Sequence, residues 1–336
     1  MNKAFFTTVT RISDVETNSF DVNPLPRSEW ATGDYVMCEV QGRPGPLYVI
    51  ERPTGRACQV FDGDLVVGAF GIRAATLEGV GGWRDIGDDG ALHALTGAGL
   101  FGKATSVSPL LPPVMSLQYR GHLTRGEKLT MRGFCPPVEP TPLDIPVILL
   151  IGTSMSSGKT TSGRVIVHEL AQFGLKVAAA KLTGAARYRD MLSWKDAGAD
   201  HVFDFVDVGL PSTVCPPEEF SGLLTELLSK IAATSPDVLV AEAGASPLEP
   251  YNGSVAMEMI DDKVRMMVLC ASDPYAVLGV QQAFGRKPDL VCGPAANTEA
   301  AVELVGKLCG VPALNLLRRR ARPPLREILK EQLGIA

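Results

Sequence analysis

The spacing of apolar and polar positions changes character once along this chain. Up to about residue 134 the apolar runs are short: Ala4 to Ile12, Tyr35 to Val40, Leu47 to Glu51, Cys58 to Phe61, Leu65 to Phe70, Leu117 to His122 and Lys128 to Phe134. Runs of this length rich in β-branched and aromatic residues predict strands. Between them, Gly42-Arg43-Pro44-Gly45-Pro46, Asp62-Gly63-Asp64 and Arg125-Gly126 predict turns, the second and third of hairpin type. Ala74 to Leu77 and Leu92 to Leu95 read as short helical pieces. The glycine clusters Gly79-Val80-Gly81-Gly82 and Gly97 to Gly102 sit in β-rich sequence, where glycine serves turns and bulges rather than a phosphate loop. Short strands with frequent glycine predict a compact barrel or sandwich over residues 1–134.

Cys135-Pro136-Pro137-Val138-Glu139-Pro140-Thr141-Pro142 holds the backbone extended and breaks pairing, so residues 135–144 read as a linker. From Ile145 to the end, over residues 145–336, longer apolar runs alternate with helical segments, the pattern of an α/β domain with a mainly parallel sheet. Strands are predicted at Pro146 to Ile151, Lys176 to Ala180, His201 to Phe205, Asp237 to Ala241, Val264 to Ala271, Asp289 to Cys292 and Ala313 to Leu316. Helices are predicted at Arg164 to Phe173, Arg189 to Ala197, Pro217 to Ala232, Tyr275 to Phe284, from the Asn297-Thr298-Glu299 cap to Leu308, and at Pro324 to Leu333.

The chemistry concentrates in one stretch. A buried apolar strand, Val147 to Ile151, passes into Gly152-Thr153-Ser154-Met155-Ser156-Ser157-Gly158-Lys159-Thr160-Thr161 and then into a helix. Strand, small-residue loop, Gly-Lys-Thr and helix form the context of a phosphate-binding loop, or P-loop. Unpaired amides at a helix N-terminus attract a polyphosphate, and small side chains let them close around it. Lys159 would place a cation on the outer phosphates and Thr160 a hydroxyl on Mg²⁺, with residues 152–161 as the nucleotide cradle. The usual spacing has glycine where Thr153 stands; Gly152 comes one residue earlier. At the mouth of a later strand, Glu242 follows Val238-Leu239-Val240-Ala241 and fits a Walker B acid that holds the metal.

The form Gly-Thr-x-x-x-x-Gly-Lys-Thr resembles the loop of dethiobiotin synthetase and its relatives in the SIMIBI class of P-loop proteins. Glu242-Ala243-Gly244-Ala245 is similar to that family's Glu-Gly-Ala-Gly-like run, which implies a magnesium ligand at Glu242. Lys181-Leu182-Thr183-Gly184 resembles its Lys-Pro-Val-x-x-Gly-type segment, which implies a catalytic lysine facing phosphate and substrate. The family's further metal ligand, an aspartate, implies Asp190, with Asp196 as the alternative. Thr183, Gly184, Tyr188, Arg189, Tyr251 and Asn252 are candidate substrate contacts beside these segments. Asp273 either caps a helix or meets ligand. The resemblance covers only the C-terminal part; residues 1–134 have no counterpart in it.

Composition adjusts this picture modestly. With 46% hydrophobic and 21% charged residues the chain has the make-up of a soluble globular protein. A net charge of -5 gives no broad nucleic-acid surface, and Arg318-Arg319-Arg320-Ala321-Arg322, the basic run, reads first as a solvated helix start. Seven cysteines without a Cys-x-x-Cys pair fit reduced thiols in a cytoplasmic protein, and no stretch has transmembrane character. The four histidines form no metal-ligand spacing. The expectation is an Mg-ATP-dependent enzyme that activates a carboxylate-like small molecule, as ligase or kinase, and forms a homodimer. The alternatives are a nucleotide-dependent switch with a protein partner, and a non-catalytic binder of a phosphate-bearing cofactor such as coenzyme A.

Overall fold

A computed structural model describes residues 4–42, 49–244 and 246–335. Residues 43–48, with most of the Gly42 to Pro46 turn and the start of the Leu47 strand, lie outside the described residues, as does Ala245 of the Glu242 run. The chain divides into two compact units. The first comprises Met1–Val138, Gly184–Arg189 and Asp204–Leu223; the second comprises Glu139–Thr183, Asp190–Phe203 and Leu224–Ala336.

In the first unit the long strand Met115–Arg125 pairs antiparallel with Tyr35–Gln41 on one side and Ala91–Ala94 on the other. Tyr35–Gln41 pairs in turn with Leu65–Phe70, and Ala91–Ala94 with Leu100–Val107. Leu65–Phe70 and Leu100–Val107 then pair with each other, which closes the ring into a barrel and leaves these strands no free edge. Val36, Cys38, Val40, Val66, Phe70, Leu92, Phe101 and Leu117 fill the interior, from alternate positions where the period of two requires them.

The two short pieces read as helical are strands, Ile72–Ala75 and Ala91–Ala94. Four residues cannot close a stable helical turn, whereas Leu92 and Ala94 alternate inward on a ladder that Met115–Arg125 already provides. Gly79–Gly82 is also a strand, and Gly81 is there for room: a Cβ would stand 2.1 Å from the Lys103 carbonyl oxygen. Asp62-Gly63-Asp64 does turn, with Gly63 at φ +83°, but joins no hairpin. Ala57–Gln59 pairs with Val49–Glu51, while Leu65–Phe70 pairs with Tyr35–Gln41.

Two stretches from the C-terminal half of the sequence belong to this unit. The Glu51 carboxylate accepts the Tyr188 amide at 2.7 Å and the Arg189 amide at 3.3 Å. The buried Arg11 guanidinium donates to Asp204 and Asp207 at 2.8 and 2.7 Å and lies 4.4 Å from the centre of the Tyr188 ring.

The second unit is built on a six-stranded sheet in the order His201–Asp204, Val177–Thr183, Val238–Ala243, Val147–Gly152, Val264–Cys270, Leu290–Cys292. Val147–Gly152 pairs parallel with both neighbours, and the pairs 177–183 with 238–243 and 264–270 with 290–292 are parallel too. Val147–Gly152, Val177–Thr183 and Val238–Ala243 are buried throughout, which is why their sequences run apolar without alternation. The helices that follow Gly152 are α1 (Lys159–Gln172), α2 (Tyr188–Asp196), α3 (Pro217–Ala232), α4 (Gly253–Ile260), α5 (Pro274–Phe284), α6 (Glu299–Cys309) and α7 (Arg322–Leu333), with the first two residues of α2 and the stretch 217–223 of α3 counted in the first unit. Helix α4 was not expected from the sequence. The Ala313 to Leu316 strand is reduced to a single bridge between Ala313 and Val291, because Pro312 removes a donor just before it. Among the described residues no helix is long and apolar enough to cross a membrane, and all seven cysteines are free thiols.

Gly81→Ala should destabilise the first unit by about 1–3 kcal/mol, the usual cost of forcing atoms into filled space. Urea unfolding followed by Trp30 and Trp83 fluorescence would show a lowered midpoint; an unchanged midpoint would contradict the close approach.

Candidate functional site

Because the sheet is parallel, all the helix-bound loops of the second unit leave from one edge, and the strand 147–152 sits between neighbours reached in opposite directions. Its carboxyl end is Gly152. A side chain there would place a Cβ 2.3 Å from the Ser157 Oγ and 2.8 Å from the Lys159 Nζ, so the loop can curl back only over glycine. Gly158, at φ +95°, turns the chain into α1. The Ser157 hydroxyl and the Lys159 ammonium both donate to the Ser154 carbonyl, at 2.9 and 2.7 Å. The loop thus wraps its own lysine.

The departure at Thr153 has a structural reason. Its amide donates to the Cys270 carbonyl at 3.2 Å, and its hydroxyl accepts the Ser272 amide at 3.2 Å. Thr153 ties the loop to the end of the neighbouring strand, a bond glycine could not make. On the far side Gly293, at φ +78°, backs the loop; a Cβ there would lie 2.3 Å from the Ser157 carbonyl oxygen. Within the loop Ser156 is exposed and Thr153, Ser154 and Met155 are half-buried, while Thr161 faces outward in the first turn of α1.

Lys159 is 2% exposed, and burial holds its ammonium below the ordinary lysine range. Glu242, Cys270 and Glu249 work against that shift, and Lys181 adds to it. These groups therefore share one electrostatic environment. The Thr160 hydroxyl donates to a Glu242 carboxylate oxygen at 3.1 Å, bringing together residues 82 positions apart. Glu242 lies within its strand, which runs on to Ala243 rather than ending at Ala241, and is 3% exposed. It stands in register with Lys181 on one side and Leu150 on the other. Lys181 donates to Asp190 at 3.2 Å. Gly244 keeps the space open: a Cβ there would sit 3.0 Å from a Glu242 oxygen.

Thus Gly152 to Thr160, Glu242, Lys181 and Asp190 gather in the second unit. Thr183 lies close by, its buried hydroxyl donating to the Gly244 carbonyl. Gly184, Tyr188 and Arg189 belong to the first unit, with the last two on Glu51 as described. Tyr251 is fully buried, and Asn252, at φ +59°, precedes α4. Asp273 caps α5, accepting the Tyr275 and Ala276 amides at 2.9 and 3.0 Å, and those bonds lower its pKa. Two contributors were not foreseen. Glu249, which holds the Ser246 amide at 2.8 Å, could have been suspected from its loop. Trp194, whose indole N–H donates to the Thr160 carbonyl at 2.7 Å, carried no local signal.

The groups present suit a hard, oxygen-seeking cation and a polyanion. Thr160 and Glu242 supply the hydroxyl and carboxylate oxygens that Mg²⁺ takes, with room in its coordination for water and phosphate. No cluster of three or more His, Cys, Asp or Glu side chains with metal-binding geometry occurs among the described residues.

No family model and no curated protein sequence matches this chain. Similar solved structures include chloroplast FtsY from Physcomitrella patens, at 12% identity and a TM-score of 0.37, over 52% of this chain and 59% of that one. The signal recognition particle 54 kDa protein from Aeropyrum pernix in complex with GDP is 16% identical, with a TM-score of 0.37, over 60% of this chain and 53% of that one. Hydrogenase maturation factor HypB from Archaeoglobus fulgidus is 14% identical, with a TM-score of 0.37, over 56% of this chain and 90% of its own. This chain thus spans less than two thirds of the first two of these proteins.

A bound polyphosphate would return Lys159 to full charge. Above the lowered pKa of the free loop, binding must then take up a proton, and triphosphate affinity should fall as pH rises toward the ordinary lysine value. Titration calorimetry at alkaline pH in buffers of different ionisation enthalpy would show net proton uptake; binding without uptake and with flat affinity would contradict the assignment.

Proposed function

We propose that the second unit binds Mg-ATP and transfers its γ-phosphoryl group to a carboxylate-like oxygen of a small molecule. The observation that carries this reading is the Thr160–Glu242 hydrogen bond beside the loop that encloses Lys159. Hydroxyl, carboxylate and ammonium are the three groups that phosphoryl transfer asks of a protein, since catalysis there is mostly positioning and charge neutralisation. On binding, the Lys159 ammonium would leave the Ser154 carbonyl for the outer phosphate oxygens. Thr160 and Glu242 would hold Mg²⁺, which when bound neutralises charge on the phosphate oxygens. Lys181, steadied by Asp190, would draw the anionic acceptor toward the γ-phosphorus, and Asp190 remains the third candidate metal ligand.

The acceptor oxygen then forms its bond to the γ-phosphorus as the bond to the β-bridging oxygen breaks, giving ADP and an acyl phosphate. Capture of an acyl phosphate by an amine would make the reaction a ligation. The motif resemblance to dethiobiotin synthetase supports a carboxylate as the acceptor. Adenine over guanine, a small-molecule substrate and a homodimer belong to the same proposal.

A nucleotide-dependent switch with a protein partner is the second reading. It is favoured by apolar side chains on segments that follow the flanking strands: Leu248, Tyr275 and Leu278 are 65%, 69% and 45% exposed.

Lys159→Ala should abolish Mg-ATP turnover, by about 10³-fold or more for a buried charge-stabilising group, with an unchanged circular dichroism spectrum. Retained turnover would defeat the mechanism. Product analysis against a pool of carboxylic acids separates the two readings: a phosphorylated or amidated product supports the enzyme, whereas free phosphate alone, released faster with a protein partner, supports the switch.

A further inference from the structure

We propose that Trp194 is a positioning residue for the metal-binding hydroxyl of Thr160, an inference that rests on the Mg-nucleotide reading above. Helix α2 reaches the site twice on one face. Asp190 meets Lys181 at 3.2 Å, and four residues later the indole N–H of Trp194 donates to the Thr160 carbonyl at 2.7 Å. Trp194 is fully buried, and its six-membered ring packs close against Gly163, where a Cβ would come within 2.2 Å of the ring. No other residue type reproduces this pair of contacts. The indole is long enough to reach the carbonyl, and only glycine in α1 leaves it the room.

The consequence falls on Thr160 and not on the loop as a whole. An α-helix already engages the carbonyl of its second residue through the amide four residues on, so packing alone asks for no second donor there. The added bond fixes the peptide of Thr160, and with it the direction of a hydroxyl that must point at Glu242 and the cation. Lys159 is held separately, through Ser154 and Ser157. The phosphate nest and the metal corner therefore have different supports, and Trp194 belongs to the second.

The test measures ATP affinity by titration calorimetry in EDTA and in excess Mg²⁺ for the full chain, Trp194→Phe, Gly163→Ala and the double variant. The ratio of the two affinities is the gain from the metal. Trp194→Phe should lower that gain about tenfold, the effect of one hydrogen bond of ordinary net strength, while affinity in EDTA stays within about twofold. Gly163→Ala, which keeps the indole but displaces it, should do the same. The double variant should be no worse than either single one, since both remove one contact. An undiminished gain in a folded Trp194→Phe protein, or equal losses with and without metal, would overturn the proposal. Should Trp194→Phe fail to fold, Gly163→Ala decides in the same way. If the unaltered chain itself gains nothing from Mg²⁺, it is the Mg-nucleotide reading that has failed.

Discussion

The second unit is arranged around a buried positive charge whose hydrogen-bond partners among the described residues are neutral oxygens. Lys159 is almost fully enclosed, and its ammonium rests on the Ser154 carbonyl at 2.7 Å and, more distantly, on the Ser157 hydroxyl at 3.5 Å. Removing an ammonium from water without a hydrogen-bonded counter-charge is costly, and the lowered pKa of Lys159 expresses that cost. The surrounding sequence makes the arrangement possible. Gly152 gives the lysine room, Gly158 turns the chain at positive φ, Thr153 anchors the loop to its neighbour, and Gly293 lets a second backbone press against it. A polyanion would meet each of these demands at once, replacing a carbonyl dipole by full charge.

The parallel sheet brings the rest of the site to this lysine. In-register pairing sets Glu242 between Leu150 and Lys181, so a carboxylate and a second ammonium stand on adjacent strands beside the loop. Each buried charge has a partner of its own, Asp190 for the Lys181 ammonium and the Thr160 hydroxyl for the Glu242 carboxylate. The two corners of the site are braced differently, the nest by the loop's own carbonyl and hydroxyl groups, the metal corner by Glu242 and the indole of Trp194.

What could be read from the sequence was whatever local pattern dictates. The loop, the buried strands and Glu242 follow from a run of apolar residues ending in small and charged ones, and pairing merely lengthened the strand around Glu242. The barrel was legible in its turns and strands but not in its pairing: Ala91–Ala94 looked helical because four residues carry little periodic signal, and the two strands that flank it, Leu100–Val107 and Met115–Arg125, are set by the closed ring. The partition of Gly184–Arg189 and Asp204–Leu223 into the first unit depends on Glu51 and Arg11, more than 130 residues away, and no local pattern announces it. Trp194 was invisible for the same reason: only the fold lays its indole on Gly163.

The central claim is that the loop from Gly152 to Thr160 opens its hold on Lys159 to receive a polyphosphate. A crystal structure with Mg²⁺ and a non-hydrolysable ATP analogue tests it most directly. The account predicts the Lys159 ammonium on the β- and γ-phosphate oxygens, with the Thr160 hydroxyl turned to the metal. Crystals soaked to saturation in which the ammonium still rests on the Ser154 carbonyl, with the analogue absent or bound elsewhere, would contradict it.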